Sequence, residues 1–531
     1  MPALLYAETH YRFPGFFSFL KKNEPEVIAD APHRLEPGQT LPLLILTKDA
    51  HLYPCRLVDV SIEIHQAMHT IRKTNVLGTP IGLDQKIFWK IIPLDFSEFE
   101  GWVELDVTLT IERNRNTRVY HNDNHRTSSH QPLRVFVSKD PLPRYPDLYL
   151  GDPHTHSDLT DDQVEFGVPL LPGRTLAQSL GLSFYCVTDH SYDLDDHADS
   201  YLTNDPDLKR WKEFQSAIEI LNGAQNDFVI VRGEEVSCRN NAGKNVHFLL
   251  FGQKEFVHGS GDGAERWLHT KSEHSVSEVL QLRTPGSAAY AAHAKEPVPF
   301  LQRLLLGRGN WADVDLALEG MTGFQMINGR LDECFRGGYR AWTRMLLQGK
   351  RIFVIAGNDA HGNFNRFRQI GVPFITIREH ADQIFGRMRT GLFVDGPLTE
   401  TALLRSLVGG QAIMTDGPVA RMEAANERGD SASIGGAVKG SEIELTFEAI
   451  STPEFGAINS VVVIAGRIGE TSERTAFTFA SNQGFEARHR VSLKQSAANY
   501  VRLEIWTSPT NSFDHRSHYC LTNPIWLDRA L

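Results

Sequence analysis

The sequence predicts an α/β protein: a seven-stranded α/β barrel, closed or nearly so, flanked by N-terminal and C-terminal β-sandwich-like domains. Three observations predict it. Short apolar segments alternate with helix-like stretches through the middle of the chain. Strand-like runs without such helices fill both ends. The chain has 531 residues, and single cores stop growing near about 250–300 residues. The expected domains are a β-rich region at 1–142, the barrel at 143–400 and a second β-rich region at 401–531.

The N-terminal region reads as strands because CRLVDVSIEIHQ, KIFWKIIPLDF and GWVELDVTLTIERN are β-branched or aromatic runs bounded by turn residues. Alternation in VELDVTLTIE puts Val103, Leu105, Val107, Leu109 and Ile111 on one face. KDPLPRYPD, at 139–147, marks a boundary. Beyond it the strand candidates are DLYLGD, LSFYCVTD, FVIVRGEE, NVHFLLFG, AAYAAH, GFQMIN and RIFVIAGND. Between them Trp211, Phe214, Ile218 and Leu221 follow helical spacing. Such alternation implies a largely parallel sheet or barrel. After about residue 375 comes a helix in ETALLRSLVGG and the strand QAIMT. EIELTFEAI, INSVVVIAG, TAFTFAS, ARHRVSL and YVRLEIWTS then make the C-terminal region β-rich.

Metal-capable residues fall where these middle strands end. His154 and His156 follow the first strand, with Asp161 shortly after. Asp189 and His190 end the second, and Glu234 and Glu235 the third. His247 lies within the fourth. His293, Asn328, and Asp359 with His361 close the last three. In α/β barrels the C-terminal ends of the strands converge on one mouth, so these residues would meet. Alternate residues of an HxH point the same way and can grip one ion. Each motif is weak alone. Burying so many carboxylates and imidazoles together without a metal would be costly. The donor set has no thiolate and suits Zn, Mn or Fe rather than Ca or an iron–sulfur cluster. It exceeds what one ion needs, so two or three divalent ions are expected. The chemistry that follows is hydrolysis by a metal-bridging hydroxide. Asp189 and His197 are candidate proton donors to the leaving group. Arg366 and Arg368, in NFNRFRQ, are candidate grips for a phosphate or carboxylate.

The ordered motifs HTH-x4-D, TDH, GEE, VHFL, AAH and GNDAH resemble those of the PHP (polymerase and histidinol phosphatase) superfamily, over about residues 147–375. The resemblance implies a distorted seven-stranded β/α barrel and a trinuclear Zn, Mn or Fe site. It implies that His154, His156, Glu235 and Asp359 hold one ion. Glu235 would bridge to a second on His247 and His293, and Asp161, His190 and His361 would hold a third. Asp189 would orient an imidazole or hold a proton, and Glu234 would not be a ligand. GGQAIMTDGPVA and TNPIWL resemble the carbaryl-hydrolase-like CehA/McbA branch. The superfamily implies phosphoester hydrolysis, and the branch a carbamate, ester or amide bond. Two positions depart from the pattern: AHAKEP, where Pro commonly follows the His, and GNDAH, where Ser usually precedes the Asp. Lys295 in the first could offer a cation near substrate. The amidohydrolases also open with HxH, but TDH after the second strand and G-x-E after the third favour PHP. A third class is a non-catalytic, metal-stabilised binding protein.

Composition narrows the partners. The net charge of −11, from 54 basic and 65 acidic residues, argues against nucleic acid and leaves a small-molecule substrate. Five dispersed cysteines without a CxxC pair are neither a disulfide framework nor a thiolate zinc site. They fit a reducing, cytoplasmic compartment. No signal peptide or run of about 18 apolar residues is evident, so no membrane partner is expected. A homo-oligomer is compatible with the chain.

Overall fold

The computed structural model describes residues 24–67, 69–125, 128–160, 167–197, 200–224, 227–260, 270–367, 369–372, 375–378, 383–480, 484–510 and 512–528. Near the N-terminus a three-stranded sheet (Glu26–Asp30, Leu41–Lys48 and Ile87–Leu94) faces a seven-stranded one. The central strands of the larger sheet are Cys55–Gln66 and Gly101–Arg113. Val103, Leu105, Val107, Leu109 and Ile111 are all buried. They share a core with Leu43 and Ile45 of the smaller sheet.

The seven middle strands do not form the expected seven-stranded α/β barrel. They are one part of a 15-stranded sheet. From its edge they run Phe353–Gly357, Gly323–Asn328, Ala288–Ala291, Asn245–Phe251, Val229–Arg239, Phe184–Val187 and Leu148–Thr155. The sheet then continues through Arg389–Phe393, paired antiparallel to Leu148–Thr155, and Ala412–Thr415 into the C-terminal strands. Four neighbouring pairs of the seven are parallel. Both partners of Asn245–Phe251 run antiparallel to it. Strand exceeds helix by 43% to 16%, so the molecule is mainly β rather than α/β. The physical reason is that a buried strand reads as a continuous apolar run in either direction. The short link from Arg239 to Asn245 makes a hairpin, so its two strands run antiparallel.

Helices cover part of this sheet. In Lys209–Ala224, Trp211, Phe214 and Ile218 are buried. Val276–Leu282 begins at a Ser275–Glu278 capping box, and Glu400–Val408 at a Thr399 cap. At the far end a four-stranded sheet containing Val419–Asn426 and Glu442–Ile450 packs Met422, Leu445 and Phe447 near Val461, Val463, Leu503 and Ile505. That cluster also holds Ile28 and Leu46 from the N-terminal region and Leu148, Tyr185 and Phe214 from the middle. The three parts of the chain therefore share apolar interior. Among the described residues no helix is long and apolar enough to cross a membrane.

Candidate metal centre

One end of the seven middle strands carries the constellation. His154 lies in the Leu148–Thr155 strand, and His156 follows it. Glu235 lies in Val229–Arg239 and His247 in Asn245–Phe251. His190, His293, Asp359 and His361 sit just beyond their strands. The two edges of the group meet there: the Asp359 amide donates to the His154 carbonyl at 2.9 Å, and the His156 amide to the Ala360 carbonyl at 2.8 Å. Gly357 permits this approach, because a Cβ there would lie 2.9 Å from that of His154. Asp359 and His293 have φ of +53° and +26°. Non-glycine residues hold such backbone only where their surroundings over-determine it, which is typical of functional sites.

Four donor atoms converge. His154 Nε2 lies 3.4 Å from Glu235 Oε2 and 3.3 Å from Asp359 Oδ1. His156 Nε2 lies 3.3 Å from each of these oxygens and 3.3 Å from His154 Nε2. Ligand bonds of about 2.0–2.1 Å in a tetrahedron require donor separations of about 3.3–3.4 Å. The quartet fits a divalent transition metal. Two further groupings adjoin it: His190, Glu235 and His247; and His156, His190 and His361. His293 Nε2 reaches Glu235 Oε1 at 3.5 Å. Among the described residues, His190 Nδ1, Glu235 Oε2 and His293 Nε2 are buried with no hydrogen-bond partner, and such atoms call for an explanation. An ion supplies one.

The electrostatics agree. Burial alone would raise Glu235, but the surrounding imidazoles, His247 and His154 foremost, hold its carboxyl well below the usual range. Asp359 is depressed in the same way, against its burial, by His154, His156, His293 and His361. Burial would lower His156, yet Asp359 and Glu235 lift it to about 10. Burial and the neighbouring His156 lower His190. Glu234 stands apart. Burial raises it well above the usual carboxylate range, and its Oε2 accepts from Ser191 Oγ at 3.2 Å and the Val257 amide at 3.5 Å.

Outer partners set the imidazole tautomers. His154 Nδ1 donates to Gln325 Oε1 at 2.7 Å, which leaves Nε2 facing the carboxylates. His156 Nδ1 donates to Thr160 Oγ1 at 3.2 Å, and that hydroxyl donates to Asp189 Oδ1 at 2.8 Å. Asp189 also accepts from the Ser157 amide and hydroxyl, both at 2.7 Å. It therefore orients His156 through Thr160, and its occupied oxygens do not suit the proton-donor role. His361 Nδ1 donates to the Asp359 carbonyl at 3.1 Å. Asn358 bonds Asp152 Oδ2 at 2.6 Å and the Met388 carbonyl at 2.8 Å. It anchors the turn that carries Asp359.

Other candidates fall elsewhere. His197 is exposed, outside the buried set. Arg366 is fully buried. It donates through Nε to the Ala29 carbonyl at 3.1 Å, through a terminal nitrogen to the Gln131 carbonyl, and lies 3.6 Å from Asp123 Oδ2. It ties the loop after His361 to the N-terminal sheets rather than facing a substrate. The reason is tertiary: NFNRFRQ reads as a solvated loop until the N-terminal region covers it. Lys295 Nζ is taken up by the Trp311 carbonyl at 2.5 Å and Asp313 Oδ1 at 3.1 Å. Asn328 supports Gln325 and Glu296 instead of joining the donors. Asp161 and Arg368 lie outside the described residues. Sequence reasoning missed Thr160 and Gln325. The second had one faint signal, a glutamine inside the apolar run GFQMIN. Gln325→Leu should keep the fold and weaken metal binding about 10–100-fold, measured by chelator competition. Wild-type affinity in this variant would deny Gln325 its orienting role.

No protein-family model and no curated protein matches the chain. Solved structures align only loosely. Trypsin-activated alpha-2-macroglobulin from Escherichia coli shares 8% identity over 100% of this chain and 25% of its own, with a TM-score of 0.16. The beta-glucuronidase of Parabacteroides merdae shares 8% over 95% and 64%, with a TM-score of 0.19. A Paenibacillus sp. cycloisomaltooligosaccharide glucanotransferase shares 11% over 95% and 69%, also with a TM-score of 0.19. The chain thus spans a quarter of the macroglobulin and under two thirds of the glucuronidase. Likeness at this level carries neither fold nor function to this chain.

Proposed function

We propose that the chain is a metal-dependent hydrolase acting on a small-molecule phosphoester. The observation that carries this reading is the quartet His154, His156, Glu235 and Asp359, in which each imidazole Nε2 stands 3.3–3.4 Å from both carboxylate oxygens. His190, His247, His293 and His361 extend it toward a site for two or three ions of Zn, Mn or Fe. When bound, such ions supply an acidified water and a Lewis-acid hold on the oxyanion that develops. The chain's own residues supply the rest. Gln325 and the Thr160–Asp189 pair fix two imidazoles, Asp152 and Asn358 fix the Asp359 turn, and burial excludes bulk water. The phosphoester class rests on the order of the motifs and their PHP resemblance. Five buried cysteines without a CxxC pair fit a reducing compartment such as the cytoplasm.

Elemental analysis and a substrate panel test the reading on protein loaded with Mn or Zn. Two or three ions per chain and turnover of aryl phosphates are expected. Turnover of carbamate, ester or amide substrates alone would move the activity to that class. An inert protein across the whole panel would leave a metal-stabilised binding protein. Replacing His154 and His156 by Ala should remove at least one ion and abolish turnover; unchanged metal content would sink the assignment.

A further inference from the structure

A cavity of ≈ 80 Å³ opens beside His247 and His293, with Asn245, Glu296, Arg308 and Trp311 among its walls. Arg308 is only 7% exposed, and one of its terminal nitrogens lies 3.3 Å from His247 Nε2. Its position is built rather than incidental. The Asn245 amide donates to the Gly307 carbonyl at 3.0 Å, and the Gly309 amide to the Asn245 carbonyl at 2.9 Å. Arg308 is thereby pinned in parallel register with Asn245, two residues from His247. Gly307, at φ +67°, makes the turn that allows it. Asn245 Nδ2 also donates to the Leu306 carbonyl at 2.8 Å, and Trp311 Nε1 to the His247 carbonyl at 3.1 Å. The backbone of Arg308 is thus fixed and its guanidinium rests against His247 before any ligand arrives, which lowers the entropy cost of binding.

A guanidinium offers a planar fork of N–H donors that matches two oxygens of a phosphate or carboxylate. Resting on the hydrolase reading above, we propose that Arg308 is the residue that recognises a substrate oxyanion, phosphate or carboxylate, in the cavity beside His247 and His293. Glu296 also lines the cavity. Its Oε2 accepts from Asn328 Nδ2 at 2.8 Å and lies 4.0 Å from His293 Nδ1. A carboxylate on the lining disfavours a polyphosphate chain at this cavity.

The test uses the metal-loaded full chain, as wild type, Arg308→Lys and Arg308→Gln, with metal content measured in each. Inorganic phosphate and benzoate are titrated calorimetrically, and kinetics are run with an aryl phosphate and an uncharged aryl ester. Arg308→Gln should weaken the anion that binds by about tenfold or more, with Arg308→Lys intermediate. It should raise KM for the anionic substrate to a similar degree, and more than it raises KM for the uncharged ester, with the metal retained. Whether phosphate or benzoate shows the Arg308 dependence identifies the oxyanion. Anion binding within about twofold of wild type in Arg308→Gln would overturn the proposal. So would an equal loss of metal in both variants, since Arg308 would then act through His247. A wild type without turnover on any substrate would defeat the hydrolase reading, while the calorimetry would still report on Arg308.

Discussion

Glu235→Gln is expected to remove at least one metal ion and lower turnover by roughly three orders of magnitude or more, while the chain stays folded. One carboxylate serves five imidazoles. Its Oε2 faces His154, His156 and His190 at 3.4, 3.3 and 3.2 Å, and its Oε1 faces His247 and His293 at 2.9 and 3.5 Å. Glutamine keeps the volume, so packing is preserved. It removes the negative charge and turns an amide N–H toward nitrogens that need an acceptor or a metal. Because Glu235 belongs to two of the three donor groupings, its loss should reach beyond one ion. Metal analysis by mass spectrometry, circular dichroism and steady-state kinetics on one preparation would check this. A folded variant with full metal content and near wild-type turnover would remove Glu235 from the centre.

Arg34→Ala should be the most destabilising single change away from that centre, at about 3–5 kcal/mol. Arg34 is buried. It donates from Nε to Glu454 Oε1 at 2.8 Å and from NH2 to Glu454 Oε2 at 2.8 Å. It also bonds Glu36 Oε1 at 2.8 Å and the carbonyls of Leu180 and Asp140 at 3.1 and 3.0 Å. One guanidinium thus joins the N-terminal, middle and C-terminal parts of the chain. Alanine removes the paired guanidinium and leaves Glu454 buried with the Ser138 hydroxyl at 2.7 Å and the charge of Arg389 nearby. A buried charge that loses its hydrogen-bonded partner is what makes such deletions costly. The Arg34→Met, Glu454→Leu double variant should recover most of the loss, because the orphaned carboxylate goes with its partner. Urea midpoints of the first unfolding transition would measure both. A midpoint for Arg34→Ala equal to wild type would show the cluster to be energetically neutral.

Local pattern settled a good deal. The alternation of Val103 through Ile111 defined a buried strand face, and Trp211, Phe214 and Ile218 defined the buried side of a helix. The metal-capable residues could be named because imidazole and carboxylate chemistry belongs to the residue itself. Their recurrence at strand ends needs no knowledge of distant contacts. What the chain order could not carry was direction and neighbourhood. A fully buried strand is equally apolar whether its neighbour runs parallel or antiparallel, so the seven middle strands read as a closed or nearly closed barrel. Tertiary pairing instead made them one stretch of a 15-stranded sheet reaching into the C-terminal region. The partners that orient the centre are just as non-local: Gln325 reaches His154 across 171 positions, and Asp189 reaches Thr160 across 29. Burial sorted the arginines in the same way. Arg366, in a polar run, became a strut under the N-terminal sheets. Arg308, unremarked in LLGRGNW, was brought beside His247 by a loop pinned to Asn245. Sequence by itself determined which residues have the chemistry for a metal centre. Only the tertiary structure decided which of them meet, because hydrogen-bond partners and strand neighbours are fixed by packing across the chain and not by spacing along it.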